Sequence, residues 1–397
     1  MIDVNLFAGA GGLAIGLQSA GFAPIHLFEK DPNACATLRH NSGPRSPTLC
    51  GFVFEQDVKE VDWRQFRRKV RLIAAAAPCQ PFSLAGKHLA SEDGRNLFPE
   101  VLRAIRYLRP DGIVIENVRG LLRDDFGDYF DYILRQLECP LIKPRQDEIW
   151  RNHDARIRRH QRTVGYIPEY HVSWRLLNAA DYGVPQNRLR VFIVATRYDL
   201  PPYRFPQPTH SRSALIHGQK TGEYWRRHRI RTKEILLSDG PGPDPLEEEL
   251  PREPWYTVRD AIADLPEPSA QEDTAWMNHW LIVGARVYAG HSGSMMDWPA
   301  KTVKAGVHGV PGGENTVVLD DGRVRYFTFR ELARLQSFPD SHFFKGARIH
   351  VTRQIGNAVP AELARAVARP LFKLMTDNVE QQEQEIGGSY GRALARI

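Results

Sequence analysis

Leu72-Ile73-Ala74-Ala75-Ala76-Ala77 runs directly into Pro78-Cys79-Gln80-Pro81-Phe82-Ser83. The first six residues are a short apolar run of the kind that forms a fully buried strand. Cys79 is therefore expected just past the carboxyl end of a parallel strand, the edge where open α/β sheets place their chemistry. Two prolines restrict the backbone around the thiol and hold it in place. Taken alone, such a stretch more often means a cysteine packed in a turn; its neighbours along the chain decide between packing and nucleophilic roles.

Outward from this strand, strand-like and helix-like segments alternate as far as Arg197. Ile2 to Phe7 reads as a strand, Leu13 to Ala20 as a helix ended by Gly21, Ile25 to Phe28 as a second strand and Pro32 to His40 as a helix. Phe52-Val53-Phe54 is expected to be a third strand, with Asp57 after it. Leu97, Val101, Ile105 and Leu108 recur at helical spacing. Ile113-Val114-Ile115 and Val191-Phe192-Ile193-Val194 are further strands. Strands separated by helical segments imply an α/β fold with a doubly wound, largely parallel sheet.

The pattern breaks after Arg197. Pro, Gly and charge dominate from Pro201 to about Asp273, with a loop at Pro241-Gly242-Pro243-Asp244-Pro245 and a solvated run at Glu247-Glu248-Glu249. One helix start is expected in Tyr256 to Ile262, and strands at Val283 to Tyr288, Lys301 to Lys304 and Thr316 to Leu319. Helical patterns return at Thr328 to Gln336 and Ala361 to Met375. The expected organisation is residues 1–199 as a first domain and 200–325 as a second, smaller one, with 326–375 returning to the first and 376–397 as a polar, mobile or peripheral tail.

A chain of 397 residues can bury a substantial core in two domains. At 42% hydrophobic and 25% charged, its composition is that of a soluble globular protein. Cys35, Cys50, Cys79 and Cys139 show neither metal-ligand spacing nor a dense disulfide pattern, so reduced cytosolic thiols and no metal are expected. The sequence opens with no basic-then-apolar leader, and no apolar run is long enough to span a bilayer, so a soluble, intracellular protein without a membrane partner is expected. The net charge of +6 suits a polyanionic partner without requiring one.

Gly9-Ala10-Gly11-Gly12-Leu13-Ala14 lies between a strand and a helix, where glycines allow a tight turn and close approach of backbone to ligand. Glu29 ends the second strand, twenty residues after Gly9, and a carboxylate there can accept bonds from ribose hydroxyls. Gly9, Gly11 and Ala14 also satisfy the dinucleotide fingerprint. By the glycines alone, a nicotinamide or flavin enzyme and a S-adenosylmethionine enzyme stand close to level.

Five blocks occur in order: Asn5-Leu6-Phe7-Ala8-Gly9-Ala10-Gly11-Gly12, then Pro78 to Ser83, Glu116-Asn117-Val118, Gln186-Asn187-Arg188-Leu189-Arg190 and Gln354-Ile355-Gly356-Asn357-Ala358-Val359-Pro360. Together they resemble the C5-cytosine-specific DNA methyltransferase family of prokaryotic and phage restriction-modification systems. The resemblance spans nearly everything except a central variable region and the tail. It implies a Rossmann-like S-adenosylmethionine-dependent methyltransferase sheet with a second, smaller target recognition domain, and it decides the cofactor in favour of S-adenosylmethionine. On this resemblance Phe7 stacks near the adenosyl group, Gly9, Gly11 and Gly12 face the methionine part, Glu29 holds the ribose and Asp57 reads the adenine amino group. Pro78 lines the same pocket, and Asn357 and Ala358 close it. Asn5 stands where the family carries aspartate.

C5 of cytosine is a poor nucleophile, so its methylation needs a partner that adds at C6 and pushes electron density to C5. A thiolate suits this, provided the site favours the anion of a group that titrates at about 8.5 when free. Cys79 is the expected nucleophile. Glu116, at the end of the Ile113-to-Ile115 strand, would hydrogen-bond the ring N3 when protonated; an ordinary strand-end carboxylate is the plain alternative. Asn117 is expected to fix the local backbone. Arg188 and Arg190, two residues apart ahead of a strand, are expected on one face flanking a groove. The resemblance puts Arg190 near O2 of the base and Arg188 in ordering the site, and an ordinary salt bridge, Glu116 included, is compatible with both.

Duplex DNA hides C6, so the cytosine must be rotated out of the stack. Ser83 to Leu97 resembles the family's mobile loop that closes over the base, with Ser83 and Arg95 toward the nucleic acid. Pro299-Ala300-Lys301-Thr302-Val303, followed by Gly306, Gly309, Gly312 and Gly313, resembles the end of the recognition domain, where Thr302 and Val303 approach the extruded site. Arg226-Arg227-His228-Arg229 with Arg231, and the stretch Arg151 to Arg162, are either contacts to phosphates and base edges or solvated helix faces.

The expected activity is methyl transfer to a specific double-stranded DNA sequence, by a monomer in the prokaryotic cytosol or nucleoid, alongside a cognate restriction enzyme. The chain begins almost at its first block, so no N-terminal regulatory module is expected. A tRNA methyltransferase of the same fold is the nearest alternative, and the long insert with a Gly-rich end favours DNA. A non-catalytic nucleic-acid-binding relative would not need Cys79, Glu116 and Arg190. A nicotinamide oxidoreductase leaves the Pro-Cys-Gln-Pro and Gln-Ile-Gly-Asn blocks unexplained.

Overall fold

A computed structural model describes residues 2–23, 25–42, 48–66, 70–78, 97–231, 252–271, 275–285, 293–306 and 315–394. The chain opens with β1 (Ile2–Leu6), α1 (Gly12–Ser19), β2 (Ile25–Glu29), α2 (Pro32–Asn41), β3 (Gly51–Glu55) and β4 (Val70–Ala75). It continues with α3 (Phe98–Leu108), β5 (Gly112–Val118), α4 (Gly127–Glu138), α5 (Trp150–Gln161), β6 (Tyr170–Asn178) and β7 (Leu189–Arg197). These strands form one seven-stranded sheet in the order β3-β2-β1-β4-β5-β7-β6. β3, β2, β1, β4 and β5 run parallel, and β7 runs antiparallel to β5. The strand order reverses between β1 and β4, and ligands of open α/β sheets bind outside the carboxyl ends of strands at such a switch point.

The central strands are apolar because both of their faces are covered. All but the first or second residue of β1 and of β4 is buried. α3 turns Val101, Leu102, Ile105 and Leu108 onto the sheet, and α4 adds Phe130, Ile133 and Leu137 to the same core. Phe28 stacks on Phe54 with ring centroids 4.7 Å apart and meets Trp63 edge-on at 5.1 Å. Full burial of each large apolar side chain contributes roughly 1.5–3 kcal/mol.

The chain divides into two compact units, Met1–Leu176 with Arg190–Pro206 and Ala364–Ile397, and Leu177–Leu189 with Gln207–Leu363. The second unit holds β8 (His210–Ser211), α6 (Arg212–Lys220), α7 (Glu223–Arg227), β9 (Glu253–Pro254), α8 (Val258–Ile262), β10 (Ser294–Met295), β11 (Thr316–Val318) and β12 (Val324–Tyr326). α9 (Phe329–Leu335) and α10 (Arg348–Asn357) follow, and α11 (Ala361–Leu394) ends the chain. Capping boxes fix the starts of α8 (Thr257 with Asp260) and α9 (Thr328 with Glu331). Within this unit Tyr224, Trp225, Trp255 and Leu215 form a small core, and the Arg259 guanidinium bridges Asp297 and Asp320. Residues 326–363 fall in this unit, where buried Arg330 donates to the carbonyls of Met277, Pro339 and His342.

Three expectations are corrected. Lys301 to Lys304 is not a strand; its backbone amides go to side chains, Val303 N to Gln186 Oε1 and Lys304 N to Asn315 Oδ1. Val283 to Ala285, the described part of the segment expected as a strand up to Tyr288, is irregular. The closing helix does not end at Met375, since α11 runs on to Leu394.

Candidate active site

The route to Cys79 is braced up to the last described residue. β4 ends at Ala75, Ala76 N donates to Leu6 O at 3.4 Å, and the carbonyl of Ala77 accepts Asn117 Nδ2 at 3.3 Å. Asn117 is buried, and its Oδ1 in turn accepts Val118 N at 2.9 Å. One side chain on β5 thus fixes the backbone two residues before the cysteine. Pro78 follows, exposed. Cys79, Ser83, Arg95 and the rest of the expected closing loop lie outside the described residues.

β5 extends through Val118, so Glu116 sits within the strand and not beyond its end. β7 pairs with it so that Val118 faces Arg190 and Glu116 faces Phe192. Arg190 is then the diagonal neighbour of Glu116, within reach of a long side chain, and its Nε lies 2.9 Å from Glu116 Oε1 with both side chains largely buried. This charge-assisted contact fixes the carboxyl at the carboxyl edge of the parallel strands.

Arg188 lies just ahead of β7. β7 begins only at Leu189, so the two-residue alternation does not reach back to Arg188. Its side chain is 1% exposed; Nη1 donates to Val303 O at 2.9 Å, and Nη2 donates to Gly356 O at 2.8 Å and Ala358 O at 3.0 Å. The two arginines therefore serve different partners, Arg190 a carboxylate and Arg188 three backbone carbonyls. Asn178, which the sequence reading passed over, accepts Arg188 N at 3.1 Å.

The glycine turn is organised by Glu29. Its Oε2 accepts Gly9 N, and its Oε1 accepts Lys30 N and Asp31 N, each at 2.8 Å. The turn itself needs left-handed backbone at Phe7, Gly9 and Gly11, with φ of 56°, 54° and 95°. Gly12 starts α1, buried. A Cβ on Gly9 would meet nothing within 4 Å, so the space beside the turn is open, whereas one on Gly11 would press on Leu38 and Leu49 at 3.0 Å. An ionised carboxylate has about four acceptor sites, and backbone amides take three of those on Glu29. What remains, beside open space, fits a ribose diol. Phe7 packs part-buried on the sheet core. Asp57 caps the turn after β3, accepting Lys59 N at 3.0 Å and pairing with Lys30 Nζ at 3.2 Å. The Lys59 amide, followed by Lys30, holds its carboxyl below the usual range against some desolvation. These residues fit an adenosyl ligand.

In the second unit, Thr302 Oγ1 donates to Asn187 O at 2.7 Å, and Val303 is buried. Asn357 is exposed at the end of α10 and Ala358 is buried. Gly356 is required there by close approach, since a Cβ would fall 2.4 Å from Lys304 C and Ala305 N. Gln186 and Gln336, also fully buried, were not singled out as functional by the sequence reading. The available signal was a glutamine on the apolar stripe of α9, in line with Phe329, Leu332 and Ala333.

The C-terminal half of the basic stretch on α5 lies away from this edge. α5 runs alongside α4 in the same direction, with Trp150 against Tyr129, Arg135 paired to Asp154 and Gln161 bonded to Glu138. Glu138 O accepts Glu169 N, and the next residue, Tyr170, bonds to Pro110 O just ahead of β5. Arg158, Arg159 and Arg162 therefore sit toward the edge opposite Glu116. Arg158 pairs with Asp154 and Arg156 with Glu148. Among the described residues no cluster of His, Cys, Asp or Glu could hold a metal ion, and no helix is long and apolar enough to cross a membrane.

The sequence profile described as C-5 cytosine-specific DNA methylase matches residues 1–139 and 162–373, and the residues it passes over hold α5 with the loop before it. The type II methyltransferase M.PspPI of Psychrobacter sp. (strain TA137) is 32% identical over 376 residues, covering 94% of this chain and 79% of that one. The type II methyltransferase M.NgoMIV of Neisseria gonorrhoeae is 30% identical, covering 94% of this chain and 97% of that one. Among solved structures, a DNA modification methyltransferase encoded within an E. coli prophage superposes with a TM-score of 0.54 at 21% identity over 95% of this chain and 100% of its own. The S. pombe Dnmt2 methyltransferase gives 0.53 at 16% identity over 96% and 99%. These structures share the fold.

Proposed function

The chain belongs to the C-5 cytosine-specific DNA methylase family, and from that premise we propose that it methylates C5 of a cytosine within a specific double-stranded DNA sequence, flipping the base out of the duplex and holding it covalently through Cys79. The observation that carries this reading is the Glu116–Arg190 pair, fixed at the carboxyl edge of the sheet beside the braced backbone that leads to Cys79. S-adenosylmethionine, held by Phe7, the glycine turn, Glu29, Asp57, Pro78 and the Asn357–Ala358 segment, supplies an electrophilic methyl group when bound. The Cys79 thiolate adds to C6 with its own electron pair, which releases the C5=C6 π pair to C5 and, through C4, toward N3; C5 so activated would take the methyl group, whose former bonding pair stays with the donor. Glu116 gives a hydrogen bond or proton to N3 as negative charge develops there, while Arg190 orients the Glu116 carboxyl and faces O2. Water or hydroxide takes the C5 proton, and the sulfur then leaves as thiolate. Ser83, Arg95, Thr302 and Val303 contact the DNA, and the segment 200–325 reads the target. The type II names of the relatives support a place in a restriction-modification system beside a cognate nuclease, and the reading takes the enzyme as a monomer in the cytosol.

The test uses labelled cofactor and separate DNA and RNA substrates, with bisulfite sequencing to find the methylated site. A duplex carrying 5-fluorocytosine at that site should trap a covalent complex, because fluorine does not leave as a proton does, and Cys79→Ser should abolish the trap. Label in RNA alone, or an adduct on Cys35, Cys50 or Cys139, would overturn the reading.

A further inference from the structure

We propose that Gln336 is a positioning residue that locks the Thr302–Val303 segment to the Asn357–Ala358 segment, so that cofactor occupancy and target capture strengthen each other. The inference rests on the functional reading above, which puts the first segment at the target base and the second at the cofactor.

Gln336 caps α9 and is wholly buried. The chain turns away at once, with Ser337 in left-handed backbone at φ 59°, which leaves the glutamine side chain inside. A buried amide is costly unless its donors and acceptor are paired, and here they are. Its Oε1 accepts Gln186 Nε2 at 3.2 Å, and its Nε2 donates to Ile355 O at 2.7 Å and Ala358 O at 3.4 Å. Gln186 in turn accepts Val303 N at 2.9 Å through Oε1. Arg188 closes the circuit, with one guanidinium nitrogen on Val303 O and the other on Ala358 O.

The result is a ring of hydrogen bonds through Val303, Gln186, Gln336, Ala358 and Arg188. Both backbone groups of Val303 and the carbonyl of Ala358 belong to it. All three side chains in it are buried, so no bulk water stands ready to replace a lost member, and bonds in such a network reinforce one another. The two segments also touch directly, main chain to main chain, where Gly356 meets Lys304 and Ala305. A ligand that orders one segment therefore orders the other, and Gln336 is the member of the ring that lies in none of the blocks carrying the family resemblance.

The experiment measures binding of S-adenosylhomocysteine, of a duplex carrying the methylated site, and of each in the presence of the other, on the full chain. In the wild type each ligand should tighten the other by about tenfold or more, within the usual range for coupled sites, and Gln336→Met should cut that factor to about threefold or less. Each ligand alone should still bind the variant within about threefold of wild type, because neither is touched by Gln336. Gln186→Met, which opens the ring elsewhere, should show the same loss of coupling and serves if Gln336→Met does not fold. Coupling preserved in folded variants would overturn the inference, as would equal weakening of both separate affinities with the coupling factor intact. A wild type that binds both ligands without mutual effect would overturn it and leave the functional reading standing. A wild type that binds no S-adenosylhomocysteine would overturn the reading itself.

Discussion

At the scale of single residues, Glu29 carries more than its sequence position announced. Its carboxylate, proposed to hold the ribose, also ties three backbone amides of the turn and of the β2 exit. Glu29→Ala should therefore weaken S-adenosylmethionine binding by roughly 1.5–3 kcal/mol, the scale of hydrogen bonds to a charged group. Glu29→Gln, which keeps one acceptor, should lose less. Titration calorimetry separates the three proteins, and equal affinities would remove Glu29 from the site. Glu29 was legible because strand, glycine turn and carboxylate follow one another at short range in the sequence. Gln336 was not, because its role is set by Gln186, a partner 150 residues away along the chain.

At the scale of elements, what could be read depended on how each buries its surface. β1, β2, β4 and β5 announce themselves as apolar runs because both faces are covered. β6, at the edge of the sheet, exposes Trp174 and Arg175 at its middle and so shows no such run. Lys301 to Lys304 misled in the other direction: its Thr-Val pair has strand composition, but its amides bond to side chains. α5 hid because two of the three residues it buries are polar, His153 and Asp154 alongside Ile157. His153 anchors α5 to α4, with Nδ1 2.7 Å from Tyr132 Oη and Nε2 2.8 Å from Ile142 O. Burial holds it below the usual histidine range. The unfolded chain then binds a proton from about pH 6.5 downward that the folded protein refuses, so this site's contribution to stability falls as pH falls, by up to about 1.4 kcal/mol per pH unit. Urea denaturation at mildly alkaline and mildly acidic pH should show a steeper acid loss for the wild type than for His153→Gln. Identical slopes would mean that His153 takes up its proton in the folded state.

At the scale of the whole molecule, the division of labour is the testable quantity. A chimera carrying residues 200–325 of a relative should adopt the relative's target, read by bisulfite sequencing, with S-adenosylmethionine affinity unchanged. Single changes at Thr302 or its neighbours should cost about 1–3 kcal/mol of discrimination for each lost base contact. Neutralising insert arginines that touch only phosphate should weaken all sequences alike and flatten the salt dependence. A chimera that kept the original target would move recognition outside the insert. Such an exchange leaves Gln186, Arg188 and Gln336 in place; Gln186 and Arg188 grip the incoming segment at the main chain of position 303, and Gln336 holds Gln186. The part of that grip at position 303 is on main chain, and it makes no demand on the identity of the side chain there. If the insert reads the target as proposed, descendants can change the bases they recognise one substitution at a time, or import a whole foreign insert, without first rebuilding the frame that keeps them enzymes. In a contest between hosts and invaders, where the marked sequence is the password, that indifference is itself heritable and open to selection.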